Sequence, residues 1–186
     1  MFPTVWKTLP DFMAHDWPPH RGERTLDEVA ANRCRAYGIE DGDIVVGSSL
    51  GGMVACEIAK IRRLEGLYLV GSATHREEIS RLLAALHPLA DLAPIDWLQA
   101  CAGRIPSEFA QMFAKAEASF MRQMVKAIFA WPGSGNVPVR PRRLHGRHDL
   151  VIPPPPEVDL LLAGGHLISI THSKACVDYI RSASGL

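Results

Sequence analysis

Asp43-Ile44-Val45-Val46-Gly47-Ser48-Ser49-Leu50-Gly51-Gly52-Met53-Val54-Ala55 carries a short β-branched run into an apolar helical run across a knot of glycines. In the spacing Gly-x-Ser-x-Gly it sets Ser49 at the apex of a strand-to-helix turn, its hydroxyl exposed and a helix N-terminus behind it. Gly47 and Gly51 stand two places to either side of Ser49, where a Cβ is expected to collide with the neighbouring strand or helix, and Gly52 adds clearance. The N–H of Leu50 points toward the place where an oxyanion would form. An ordinary Gly/Ser turn can share these letters. What sets this one apart is its flanks, a strand before it and the helical run Met53–Ala59 after it.

Outward from that turn, short β-branched strands alternate with amphipathic helices. This is the pattern of an α/β chain with a mostly parallel sheet covered by helices on both faces. Asp11 to Trp17 reads as a short strand stopped by Pro18-Pro19. Thr25-Leu26-Asp27-Glu28 reads as a capping box, opening a helix that ends on Gly38. Gly66 to Gly71 is a continuous apolar strand of the buried kind. From His75 to Trp131 the pattern turns to helix after helix, over Glu77–Leu86, Ile95–Ala102 and Ser107–Trp131. Pro132 to Gly135 closes this block. Val137 to Leu144 reads as a strand whose Pro138 and Pro141 suggest an edge-like or bulged course. Pro153 to Pro156 form a stiff connector, Val158 to Ala163 the last strand and Ser173 to Arg181 the last helix.

The chain is thus one domain over residues 1–186, with about 75–135 as a helical lid inserted over the Ser49 turn. Phe109, Met112, Phe113, Phe120, Met121 and Met124 offer a soft apolar lining for that lid, although each could equally pack helix against helix.

Length and composition narrow the function. A chain of 186 residues, 47% hydrophobic and 22% charged, has the make-up of a globular protein. Its Lys plus Arg equals its Asp plus Glu, so no net field recruits nucleic acid or an anionic membrane. The basic groups Arg62-Arg63, Arg140 and Arg142-Arg143 lack interleaved aromatics and read as solvated faces. No apolar run reaches the ~20 residues of a membrane span, and the N-terminus lacks the layout of a signal peptide. Cys34, Cys56, Cys101 and Cys176 are scattered and read as reduced thiols of a cytoplasmic protein. Neither His15, Asp16 and His20 nor His145 and His148 have ligand-like spacing, so no metal and no cofactor is expected.

An activated serine needs a base, and the base needs an orienting carboxylate. Asp149 follows the strand ending in Leu144-His-Gly-Arg-His148, and His166 follows Leu161-Leu-Ala-Gly-Gly165, so both sit on loops just past strands. His172 is the competing base, but it stands between Thr171 and Ser173 at a helix start. Asp159 and Asp178 fall inside a strand and a helix, and His145 and His148 suit a role in shaping the acid loop. Ser48 lacks flanking glycines in its own register.

Val46-Gly-Ser-Ser-Leu-Gly-Gly-Met-Val-Ala55, Leu144-His-Gly-Arg-His-Asp-Leu-Val-Ile-Pro153 and Gly164-Gly-His-Leu167, in that order, resemble the α/β-hydrolase superfamily. They look closest to small bacterial serine hydrolases, and the resemblance covers essentially the whole chain. It implies Ser49 as nucleophile, His166 as general base, Asp149 as orienting acid and the Leu50 N–H as an oxyanion donor. The implied reaction is hydrolysis of a small, fairly apolar carboxylic ester or thioester through an acyl-enzyme. The competing expectations are a catalytically impaired binding protein on the same fold, or a lyase using the same triad.

Members of that superfamily carry a strand and a Gly-rich loop ahead of the segment equivalent to Phe2–Trp6. That loop supplies a second oxyanion donor. Here no His-Gly or Gly-x-Gly occurs before Gly22, as expected of a shortened chain, a start site set too late, or a rearranged sheet. Loss of one donor costs about 10²–10³ in rate. The bare sheet edge beside the Ser49 strand would invite a homodimer.

Overall fold

The computed structural model describes residues 2–15, 17, 20–80 and 118–186, with side chains from 123 onward in the last segment. Helix α1 spans Leu26–Tyr37, strand β1 Ile44–Ser48, helix α2 Leu50–Ile61 and strand β2 Gly66–Val70. Helix α3 (Ala118–Ala130), strands β3 (Pro141–Gly146) and β4 (Leu160–Leu162), and helices α4 (Ile168–Thr171) and α5 (Ser173–Ser184) follow. The four strands form one sheet in chain order, every neighbouring pair parallel. The α/β class expected from the sequence is what the chain adopts.

Two-residue periodicity divides the sheet's faces. From β2, Leu67 and Leu69 enter one core with Val54, Ile58, Val29 and Ala30 of the helices, while Tyr68 and Val70 enter the other with Trp6, Leu144, Ile168 and Ile180. β1 obeys the same rule, with Val45 against the first core and Ile44 and Val46 against the second. Leu67 to Val70 are all fully buried, as a strand covered on both faces requires.

Several sequence expectations need correction. Residues 11–15 and 17 form no strand; they are irregular backbone that follows a 3₁₀ turn over Thr4–Thr8. The aromatic rings decide this, because Phe2 and Phe12 close on the buried Trp6 at centroid distances of 4.9 and 6.0 Å. Trp6 is fixed further by its indole N–H, which donates to the Ser169 carbonyl at 2.9 Å. The capping box forms only in part. Thr25 makes no side-chain cap, and Glu28 accepts from the N–H of Arg24 at 2.7 Å. The helix does end on a left-handed Gly38.

β3 is an interior strand, not an edge. It starts at Pro141, where a missing N–H is tolerated, and Pro138 lies before it. Arg143, read as part of a solvated face, has a side chain only 12% exposed and is paired to Glu78. Cys34, Cys56 and Cys176 are buried free thiols; Cys101 lies outside the described residues. Within the described residues, no helix is long and apolar enough to cross a membrane.

Candidate active site

The site is assembled where β1, β3 and β4 run out. At the end of β1 the Ser49 N–H donates to the Val70 carbonyl at 3.1 Å, then the chain reverses into α2. This turn holds Ser49 at φ 53° and ψ −125°, a left-hand region that costs a non-glycine residue about 1–3 kcal/mol. Gly47 makes the turn possible: a Cβ there would stand 2.3 Å from the Gly51 carbonyl oxygen. The reason expected for Gly51 does not hold, since a Cβ at Gly51 would meet open space. It is the Gly51 backbone that must come close to Gly47. Gly52 has its own cause, because a Cβ there would lie 2.4 Å from the Ser72 hydroxyl.

Asp149 sits on the turn after β3 and is 3% exposed. A buried carboxylate is costly unless its lone pairs are filled. Here Oδ1 accepts the N–H groups of Val151 and Ile152, both at 2.9 Å, and Oδ2 faces His166 Nδ1 at 2.9 Å. His166 is 7% exposed and follows β4. Its Nε2 stands 2.8 Å from Ser49 Oγ. The Gly164-Gly165 pair serves close approach, with neither residue at positive φ. A Cβ on Gly146 would lie 2.2 Å from the Gly165 carbonyl oxygen, so the acid and base loops touch backbone to backbone.

The three residues read from the sequence as a triad are therefore brought into one hydrogen-bonded line. Asp149 Oδ2 accepts the hydrogen bond of His166 Nδ1–H, a tautomer that leaves Nε2 bare to accept from the Ser49 hydroxyl. Leu50 is the first residue of α2, so its N–H lacks a helical carbonyl one turn back.

The competing residues are engaged elsewhere. Ser48 donates its hydroxyl to Ser169 Oγ at 3.0 Å. His172 is the N-cap residue of α5 and is hydrogen bonded to the Thr171 hydroxyl at 2.9 Å. Asp159 accepts the Arg143 N–H at 2.7 Å, and Asp178 pairs with Lys174 at 2.6 Å. His145 is wholly buried beneath the acid loop and donates Nε2–H to the Ile152 carbonyl at 2.9 Å. Burial pushes its pKa below the ordinary histidine value. His148 is exposed.

Of the lid residues, Phe109, Met112 and Phe113 lie outside the described residues, as do the side chains of Phe120 and Met121. Met124 belongs to the core, 1% exposed among the residues of α1 and α2.

Three polar residues around α2 and the turn after β2 were given no role in the site from the sequence. Ser72 donates its hydroxyl to the Ser49 carbonyl at 2.7 Å, and Arg143 donates Nη2–H to the Ser72 carbonyl at 3.1 Å. Glu57, buried in α2, accepts from Trp131 Nε1–H and Lys60 Nζ, each at 2.6 Å. Only Glu57 left a signal in the sequence, a lone acid inside the apolar run Met53–Ala59.

The model of the alpha/beta hydrolase family matches residues 4–179, so the chain belongs to that family. A comparison with curated protein sequences finds no match. Among solved structures, a lipase-esterase related protein from Clostridium acetobutylicum superposes with a TM-score of 0.73 at 12% identity, over 97% of this chain and 89% of the other. A thermophilic esterase from Thermogutta terrifontis gives 0.64 at 19% identity, over 97% and 84%. An esterase from Exiguobacterium antarcticum also gives 0.64, at 13% identity, over 88% and 75%. At these identities the likeness is one of fold.

Proposed function

We propose that this member of the alpha/beta hydrolase family is a serine hydrolase, cleaving a small, fairly apolar carboxylic ester or thioester through an acyl-enzyme on Ser49. One observation carries the reading: the unbroken line from Asp149 Oδ2 through His166 to Ser49 Oγ, with links of 2.9 and 2.8 Å. His166 Nε2 takes the Ser49 proton as Oγ attacks the acyl carbon, and Asp149 stabilises the imidazolium that forms. The carbonyl oxygen gains its charge at the Leu50 N–H. His166 then hands its proton to the departing alcohol or thiol. A water deprotonated by the same nitrogen releases the acid.

The reading extends to residues 75–135 as a lid, with Phe109, Met112, Phe113 and Met121 against the acyl chain. It is supported by the way the two ends of that segment meet, the Ser134 N–H donating to the Thr74 carbonyl at 2.7 Å.

The test is labelling with a fluorophosphonate together with turnover of short p-nitrophenyl esters. Wild type is expected to label and turn over. Ser49→Ala should take no label and lose at least about 10⁴-fold in kcat. An unlabelled, inactive wild type would sink the proposal. It would favour the second reading, a binding protein on this fold, for which the motive is that β1 pairs only with β2 among the described residues. The same edge is our proposed seat for a homodimer, checked by light scattering across a range of concentrations.

A further inference from the structure

The turn after β2 carries a hydroxyl that the reaction as described does not use. Ser72 is fully buried, and its Oγ–H donates to the carbonyl oxygen of Ser49 at 2.7 Å. The same oxygen accepts the Gly52 N–H at 2.9 Å. That oxygen is one end of the rigid peptide unit joining Ser49 to Leu50. Because a peptide is planar and trans, its C=O and the following N–H point in opposite directions. Whatever fixes the Ser49 carbonyl therefore also aims the Leu50 N–H.

The surroundings hold Ser72 for this bond. A Cβ on Gly52 would fall 2.4 Å from Ser72 Oγ and 2.5 Å from its Cβ, so the space beside the helix start is taken by this side chain. The Ser72 carbonyl is held in turn by Arg143 Nη2–H, and Arg143 grips Glu78 with two bonds of 2.8 and 2.7 Å. Burial pushes the Glu78 carboxyl up, but hydrogen bonds from Arg143 and Thr74 outweigh it, and Glu78 titrates below the ordinary value.

We infer that Ser72 is a positioning residue for the oxyanion, fixing the Ser49–Leu50 peptide so that the Leu50 N–H is already aimed where negative charge develops. A donor on the carbonyl side also polarises the peptide and strengthens its N–H. The inference rests on the serine-hydrolase reading of the site. It goes beyond that reading by giving a role to a residue that touches no substrate atom.

The experiment compares wild type, Ser72→Ala and Ser72→Thr as full chains. Ser72→Ala is expected to lower kcat about tenfold, short of the 10²–10³ lost with an oxyanion donor itself, and to leave KM within about twofold. Affinity for a trifluoromethyl ketone, which forms a tetrahedral adduct on serine, should fall in parallel with kcat. Affinity for the product acid should hold. Ser72→Thr, which keeps the hydroxyl, should recover most of the loss. If Ser72→Ala does not fold, Ser72→Cys keeps the size with a weak donor and carries the same expectation.

Unchanged kcat and adduct affinity in a folded Ser72→Ala would overturn the inference, as would a loss confined to KM. A second readout is independent of turnover: the Leu50 amide resonance in the free protein should move in Ser72→Ala by more than the other amides of α2. A Leu50 resonance that stays in place refutes the inference even if the wild type proves inactive. Wild-type inactivity by itself tells against the hydrolase reading.

Discussion

Two buried carboxylates, Asp149 at the strand ends and Glu57 in the middle of α2, are nearly alike in exposure, 3% and 6%. Both accept from a ring N–H, His166 Nδ1 for one and Trp131 Nε1 for the other. The difference lies in what the donor can do next. The imidazole has a second nitrogen 2.8 Å from a serine hydroxyl, so a charge held beside it bears on where a proton goes. The indole has no second nitrogen, and Lys60 bridges from Glu57 to the Gly133 carbonyl at 3.0 Å. Glu57 therefore ties the helix behind Ser49 to the chain returning from α3. Burial of a carboxylate marks a demand for donors. The chemistry of the donors then separates a site from a brace.

The largest expected effect breaks the first of these arrangements. Asp149→Asn keeps an oxygen for the Val151 and Ile152 N–H groups but loses the charge that fixes the His166 tautomer. It should lower kcat/KM by about 10⁴-fold while thermal unfolding stays close to wild type. Steady-state kinetics beside calorimetry checks this. A variant that loses stability but keeps its specific activity would put Asp149 in the same class as Glu57.

Next comes the reciprocal experiment. Glu57→Ala strands the Trp131 N–H, which is 3% exposed as a residue, and an unmet buried donor costs about 1–3 kcal/mol. For a chain of this size that is a fall in Tm of roughly 2–12 °C, with kcat/KM within about threefold of wild type. Trp131→Phe on the Glu57→Ala background should add less than it does alone, since both remove one shared bond. A large loss of activity without loss of stability would mean that Glu57 reaches the chemistry through α2.

The place of Asp149 past a strand was legible in the sequence, whereas for Glu57 only its oddness as a lone acid was, not its partners, and the reason is physical. A residue just past a strand in a parallel sheet has its place fixed by the strand. That Ser49, Asp149 and His166 lie near one another could thus be expected from their places past strands, while their roles came from the resemblance of the motifs. A helix fixes only its own face. What Glu57 meets depends on where the chain comes back after some seventy residues, and no local pattern encodes that. The same holds for Arg143, whose partner Glu78 is 65 residues away, and for Ser72, whose partner is Ser49. The Asp11–Trp17 reading failed for the complementary reason: among the described residues there, Phe12 packs on Trp6 and His15 stacks on Tyr37, so ring contacts and not a ladder hold them. Even Gly51 was right in position and wrong in cause, since its backbone, not its missing side chain, is what the turn requires.

The smallest expected effect sharpens the comparison at its boundary, because His145 lies between a site and a brace. Its Nε2 is 3.8 Å from Asp149 Oδ2, yet its hydrogen bond goes to the Ile152 carbonyl, and Nδ1 is buried without a partner among the described residues. Burial lowers its pKa foremost. The Ile152 carbonyl and Asp149 pull it back up, and Arg143 and His166 push it down. A histidine whose folded pKa lies below 6.5 binds its proton later than the unfolded chain does. Its contribution is thus complete above about pH 6.5 and is lost as pH falls toward the folded value, by at most about 1.4 kcal/mol per pH unit. Urea unfolding between pH 7 and pH 5 should therefore show a shallower loss of stability in His145→Gln, which keeps a donor for the Ile152 carbonyl. If the two slopes coincide, His145 binds its proton equally in the folded and unfolded chains, and its burial beneath the acid loop does not hold it neutral.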